Sequence, residues 1–87
     1  MKFNDVLVSK KDRFSIGVEE ESQRYYVSIP VSNPFIDYEE YYEIDKETFK
    51  QYRADMKLAL DFVQQCRDRL MDNRLMVKPG KYRGTPL

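Results

Sequence analysis

Residues 24–45 read RYYVSIPVSNPFIDYEEYYEID, and the parsing of this stretch decides the fold. Tyr25, Val27, Ile29 and Val31 alternate with Tyr26, Ser28, Pro30 and Ser32, the period of a strand with one face in a core. Asn33-Pro34 then turns the chain, because asparagine favours position i of a type I turn and proline presets φ at i+1. Beyond the turn, Ile36, Tyr38, Tyr42 and Ile44 share one face, and Asp37, Glu39, Tyr41 and Glu43 share the other. The stretch reads as a β-hairpin, apolar on one side and rich in tyrosine and carboxylate on the other. It holds five of the seven tyrosines and five of the fifteen acidic residues.

Upstream, Phe14, Ile16 and Val18 alternate with Ser15, Gly17 and Glu19, which adds a strand before a polar turn at 20–23. With turns centred on Glu21-Ser22 and Asn33-Pro34, Val18 faces Tyr25, Ile16 faces Val27, Val31 faces Ile36 and Ile29 faces Tyr38. If Pro34 sits strictly at i+1, the second pairing moves by two residues and the faces stay the same. Gly17 lies across from Tyr26, an aromatic able to cover a strand glycine. A one-residue slip would bury three carboxylates, so it is rejected. Two residues resist this scheme. Pro30 has no N–H for a ladder and calls for a bulge or a missing neighbour on that side. Glu40 falls on the apolar face, which places it near an edge or beside an arginine from the helical part.

Asp45 is placed to cap a helix in which Phe49, Tyr52 and Met56 recur at helical spacing. Asp55 is placed to cap a second segment with Ala59, Phe62, Val63, Cys66 and Leu70 on its apolar stripe. One bent helix and two helices both fit residues 46–72. Val6-Leu7-Val8 and Arg74–Lys78 are each candidates for an extra strand. The fold expected is α+β: an antiparallel three- to four-stranded meander with one or two helices packed on one face. Residues 1–87 form a single small domain, with the sheet in 14–45, the helical part in 46–72 and a basic tail in 73–87.

Eighty-seven residues bury only about 60–65% of their unfolded surface, so every apolar face should be used. No run of about 18 apolar residues is present, and the N-terminus lacks a small-residue cleavage site, so neither a membrane span nor a signal peptide is expected. A single cysteine, Cys66, fits a reducing cytoplasm, the expected location. Net charge is zero but unevenly spread. Residues 1–18 carry four basic and two acidic groups, residues 19–47 two basic and nine acidic, and residues 48–87 nine basic and four acidic. That distribution disfavours a general nucleic-acid binder and suggests a local negative field that steers a basic partner.

Catalysis finds little support. The chain has no histidine, which removes the commonest general base and metal ligand. Cys66 lies on a helical apolar stripe and reads as a core residue. Asp37, Glu39 and Glu43 match no calcium loop. No enzyme activity, metal or cofactor is expected. The candidate partner-binding residues are Glu19, Tyr26, Asp37, Glu39, Tyr41 and Glu43, with Ser28 on the same sheet face. Tyrosine is a common interface anchor, and carboxylates of one sign select a basic protein. A plain solvated face is the alternative, since antiparallel sheets often show one side to water. A homodimer burying the tyrosine face against itself is a further option. The tail Lys78–Gly84 (KPGKYRG) supports a rival function, an RNA- or ribosome-associated protein, because basic groups around an aromatic can follow an RNA backbone. Its plainer reading is a loosely held chain end, or a segment that lies across the acidic face and satisfies it internally.

RYYVSIPVSN (24–33), DYEEYYEID (37–45), the helical part and the KPGKYRG tail together resemble small bacterial immunity proteins of contact-dependent growth inhibition and related polymorphic toxin systems. The resemblance is one of size and layout over most of the chain, without a diagnostic motif. It implies a cytoplasmic inhibitor that binds a cognate basic toxin domain, often a nuclease, and blocks its active site. No residue role transfers by motif. The acidic face suits such a partner independently, because a nuclease presents positive charge to phosphates.

Overall fold

A computed structural model describes residues 1–87. Its strands are β1 (Phe3–Ser9), β2 (Phe14–Glu19), β3 (Arg24–Ser32), β4 (Asp37–Ile44) and the short β5 (Thr85–Pro86); its helices are α1 (Lys46–Ala54) and α2 (Leu60–Arg67). The first four strands form an antiparallel meander in sequence order, and β5 joins β3. The α+β architecture expected from the alternation is the one observed. Val6-Leu7-Val8 belongs to a full strand, whereas Arg74–Lys78 contributes only a single bridge between Leu75 and Tyr42.

The β2–β3 register places Val18 opposite Tyr25, Ile16 opposite Val27 and Gly17 opposite Tyr26, as the polar turn at 20–23 requires. For β3–β4, the register with Pro34 at i+1 is the one formed: Val31 pairs with Tyr38 and Ile29 with Glu40. Asn33 fixes this turn. Its side-chain oxygen accepts from the Phe35 and Ile36 N–H groups at 2.8 and 2.9 Å, and its own N–H donates to the Ile36 carbonyl at 3.1 Å. Pro30 is accommodated because β2 pairs with β3 only as far as Ser28. The missing N–H therefore points to an edge that β2 has left, where the Pro30 carbonyl accepts from Leu87 N–H at 3.1 Å.

One sheet face carries the core. Phe14, Ile16, Val27, Ile29, Val31, Tyr42 and Ile44 pack with Phe49, Tyr52, Ala59, Val63 and Cys66 from the helical layer. Asp45 caps α1 by accepting from Thr48 N–H at 2.8 Å, and Asp55 accepts from Lys57 N–H at 3.1 Å to start the next segment. The helical part is thus two helices separated at Asp55, with a 3-10 turn over Met56–Ala59 leading into α2. Burial among these side chains raises the Cys66 thiol pKa to about 12, which keeps it protonated and unreactive.

Leu70 does not continue the α2 stripe; it is exposed. The helix ends before it, where Leu70 N–H reaches the Gln65 carbonyl and Arg69 N–H the Cys66 carbonyl, with Arg69 at φ 60°. This is a Schellman closure built on a non-glycine residue, and glycine-free sequence gave no sign of it.

The chain end is firmly held, which corrects the expectation of a loose tail. Beyond β5 pairing, Gly84 N–H donates to the Tyr38 hydroxyl at 2.6 Å, Arg69 donates to the Gly84 carbonyl at 2.9 Å, and Asn33 donates to the Tyr82 carbonyl at 2.9 Å. Arg83 provides the strongest tie. Its guanidinium forks onto Glu40 at 2.8 and 3.2 Å and onto Asp72 at 2.7 and 2.8 Å. Glu40 therefore finds its cation in the tail rather than in a helix, and the Tyr42 hydroxyl donates to the same carboxylate at 2.8 Å.

Candidate functional site

The opposite face of the sheet carries the residues expected to meet a partner. Cross-strand partners share a face, so Phe3 and Asp5 of β1 join Gly17 and Glu19 of β2, Tyr26 and Ser28 of β3, and Asp37, Glu39, Tyr41 and Glu43 of β4. The absence of a side chain at Gly17 opens a channel across β2. Tyr26 lies in it, with its ring against the Gly17 backbone, and donates from its hydroxyl to Asp5 Oδ1 at 2.7 Å. Phe3 stacks on Tyr41 with ring centroids 3.6 Å apart, and both rings meet Tyr26 edge-on at 5.4 and 5.0 Å. Aromatic pairs of this kind contribute about 0.5–1.5 kcal/mol each beyond their buried area. A second, smaller aromatic cluster thus covers part of the face that the alternation assigned to water.

Two of the six expected site residues change role as a result. Tyr26 is fully buried, and its phenol pKa is raised first by that burial and then by the adjacent Asp5 carboxylate. It supports the face from beneath and is not an accessible anchor. Glu19 is 1% exposed, and it closes the β2–β3 turn instead of facing solvent. One carboxylate oxygen accepts from the Ser22 hydroxyl and N–H at 2.6 and 2.8 Å; the other accepts from Lys2 and Glu21 N–H at 2.7 and 3.0 Å. These donors favour the ionised form and bring its pKa down to about 2.

A depressed carboxylate pKa adds stability that is fully present above the unfolded value, near 4.5, and is lost as pH falls through about 2. Glu19→Gln is therefore expected to lower the melting temperature at neutral pH, with the gap to wild type closing as the pH approaches about 2. Thermal unfolding followed across that range checks it; a gap independent of pH would remove Glu19 as a charged cap.

The other four residues remain on the accessible side. Asp37 is exposed, and Glu39, Tyr41 and Glu43 are half-buried. Glu43 is neutralised by Arg24 at 3.1 Å. Glu39 accepts only from the Ser28 hydroxyl, at 3.3 Å, and has no cation beside it. Its pKa is raised chiefly by burial, and the nearby Asp5 carboxylate adds to the shift. The Tyr41 phenol is raised by the same burial and by Glu39 and Asp5. Phe3 and Asp5 are the members that sequence reading missed. Their signal was the alternation Phe3, Asp5 against Asn4, which breaks at a bulge between Asp5 and Leu7 and so hides the strand.

Comparison with protein-family models, curated proteins and solved structures finds no match to this chain. The reading of the site accordingly rests on its chemistry. It is a shallow platform of stacked rings, Phe3 on Tyr41, bordered by Asp5 and Glu39 without cations and by the Arg24–Glu43 pair. The tail cations are divided: Arg83 is held by Glu40 and Asp72 on the other side of the sheet, while Lys78 and Lys81 are exposed.

Proposed function

We propose that this chain is a non-enzymatic binding protein of the immunity class, which neutralises a basic toxin domain by laying the outer face of its sheet over that domain. The observation that carries this reading is the Asp5–Glu39 border of the Phe3–Tyr41 platform. Glu39 is half-buried without a cation and pays a desolvation penalty in the free protein. A lysine or arginine brought by a partner relieves that penalty, and the rings offer a flat surface for its aliphatic stem or guanidinium plane. Nuclease toxins present such groups where they grip phosphates, so the same cations that serve catalysis serve inhibition.

Within this reading Glu39 and Tyr41 are the anchors, Glu43 and Asp37 act at the rim, and Glu19 and Tyr26 maintain the surface from within. Truncating one side of a desolvated charge pair costs about 2–5 kcal/mol of binding, whereas a rim charge mainly changes the association rate. Calorimetric titration with purified basic nuclease toxin domains tests the assignment. Glu39→Lys/Glu43→Lys should weaken binding by about 30-fold or more while retaining the wild-type circular dichroism spectrum. Unchanged affinity in that folded double variant would sink the placement of the site.

A further inference from the structure

The outer edge of β1 is unpaired along its whole length. The outer edge of β4 is covered where Leu75 bridges to Tyr42 and Met76 N–H donates to the Tyr41 carbonyl at 2.9 Å, and the end of β3 is covered by β5. β1 pairs with β2 alone. Its seven residues, FNDVLVS, include neither proline nor lysine, two residues with which natural sheets blunt such edges. Val6, Leu7 and Val8 are 36, 36 and 58% exposed along it.

We propose that this edge pairs with β1 of a second copy of the chain, antiparallel across a two-fold axis, to give one sheet continuous through both copies. The strand is self-complementary in one register. Phe3, Asp5 and Val8 point to the outer face, and Asn4, Leu7 and Ser9 to the inner face, with the bulge at Val6 reconciling the two halves. Placing Asp5 opposite Val8 and Asn4 opposite Ser9 of the second copy keeps every pair on a common face. It brings Val6 of each copy beside Leu7 of the other at the axis. Asp5 then lies diagonal to Lys10 of the second copy, and the symmetry makes this pair twice. Because the two-fold stands perpendicular to the sheet, both aromatic platforms lie on one side of the dimer and stay accessible, with Glu39 still without a cation and Asp5 shared between the Tyr26 hydroxyl and Lys10 of the second copy.

Sedimentation velocity over a concentration series at low salt tests the pairing. A concentration-dependent dimer is expected. Lys10→Asp, in an exposed turn, should raise its dissociation constant about tenfold, and Val8→Lys should do so at least as much. The exchange Asp5→Lys/Lys10→Asp should restore association, and Tyr41→Ala should leave it unchanged. A monomer at every concentration, or a dimer indifferent to both edge variants, would overturn the proposal. So would a dimer lost with Tyr41→Ala but kept with Val8→Lys, since that places the contact on the tyrosine face.

Discussion

Gly17→Ala is expected to destabilise the chain by about 3 kcal/mol, the upper part of the range for overpacking a filled site. A Cβ at Gly17 would collide with the Asn4 carbonyl on one side and with the Tyr26 ring and hydroxyl on the other. The carbonyl is backbone of a paired strand and has little room to yield. Tyr26 can move, but only by giving up its bond to Asp5 and its edge contacts with Phe3 and Tyr41. Ordinary glycine-to-alanine substitution within a strand would lower the entropy of the unfolded chain and stabilise, so the sign itself is diagnostic. Urea unfolding measures the loss. A cycle with Tyr26→Ala should show strong subadditivity, because removal of the ring relieves half of the collision. A Gly17→Ala chain within about 0.5 kcal/mol of wild type would mean that the channel across β2 is not filled as described.

Arg83→Ala should cost about 3 kcal/mol and free the chain end. Glu40 is 6% exposed, and without Arg83 its carboxylate keeps only the Tyr42 hydroxyl as a direct donor. An uncompensated buried charge of this kind costs about 3–5 kcal/mol; the partial exposure of Arg83 and Asp72 puts the value at the lower end. Two carboxylates hold the guanidinium in its charged form, with its pKa raised first by Asp72 and then by Glu40, so no accessible pH weakens the tie from the arginine side. Arg83→Lys should recover only part of the loss, because an ammonium cannot fork onto both carboxylates at once. Replacing both buried partners, as Glu40→Leu/Arg83→Met, should be milder than Arg83→Ala alone, since no buried charge remains. Thermal unfolding gives the energies, and limited tryptic proteolysis after Lys81 reports release of the tail. Unchanged protease resistance in Arg83→Ala would show that β5 and the Tyr38–Gly84 bond hold the segment unaided.

These two sites also mark where the sequence stops being legible. The meander, the Asn33-Pro34 turn and the Asp45 and Asp55 caps depend on neighbours in the chain, and each has a local signature of period, turn chemistry or capping. Glu19 and Tyr26 sit in phase with Glu39 and Tyr41, and alternation cannot tell them apart. What separates them is non-local: Phe3 and Asp5 arrive from two strands away to cover Tyr26, and Lys2 and the 20–22 backbone close around Glu19. Glu40 shows the same limit. Its position on the apolar face signalled a buried partner, but that partner lies 43 residues later in a segment whose glycines and prolines suggest an irregular end. Asp37, Glu39, Tyr41 and Glu43 do reach the outer side that the alternation assigns them, but Tyr41 takes its stacking partner Phe3 and Glu43 its cation Arg24 from other strands, which no local pattern announces.

The outer platform as a docking face for a basic domain is the central claim, and an amide chemical-shift footprint tests it most directly. Isotope-labelled protein would be titrated with a purified basic toxin domain of the kind proposed as its partner. The largest perturbations should fall on Phe3, Asp5, Ser28, Glu39, Tyr41 and Glu43, leaving α1 and α2 quiet. A footprint confined to the helical layer or to residues 78–87, or no perturbation at saturating toxin, would contradict the account.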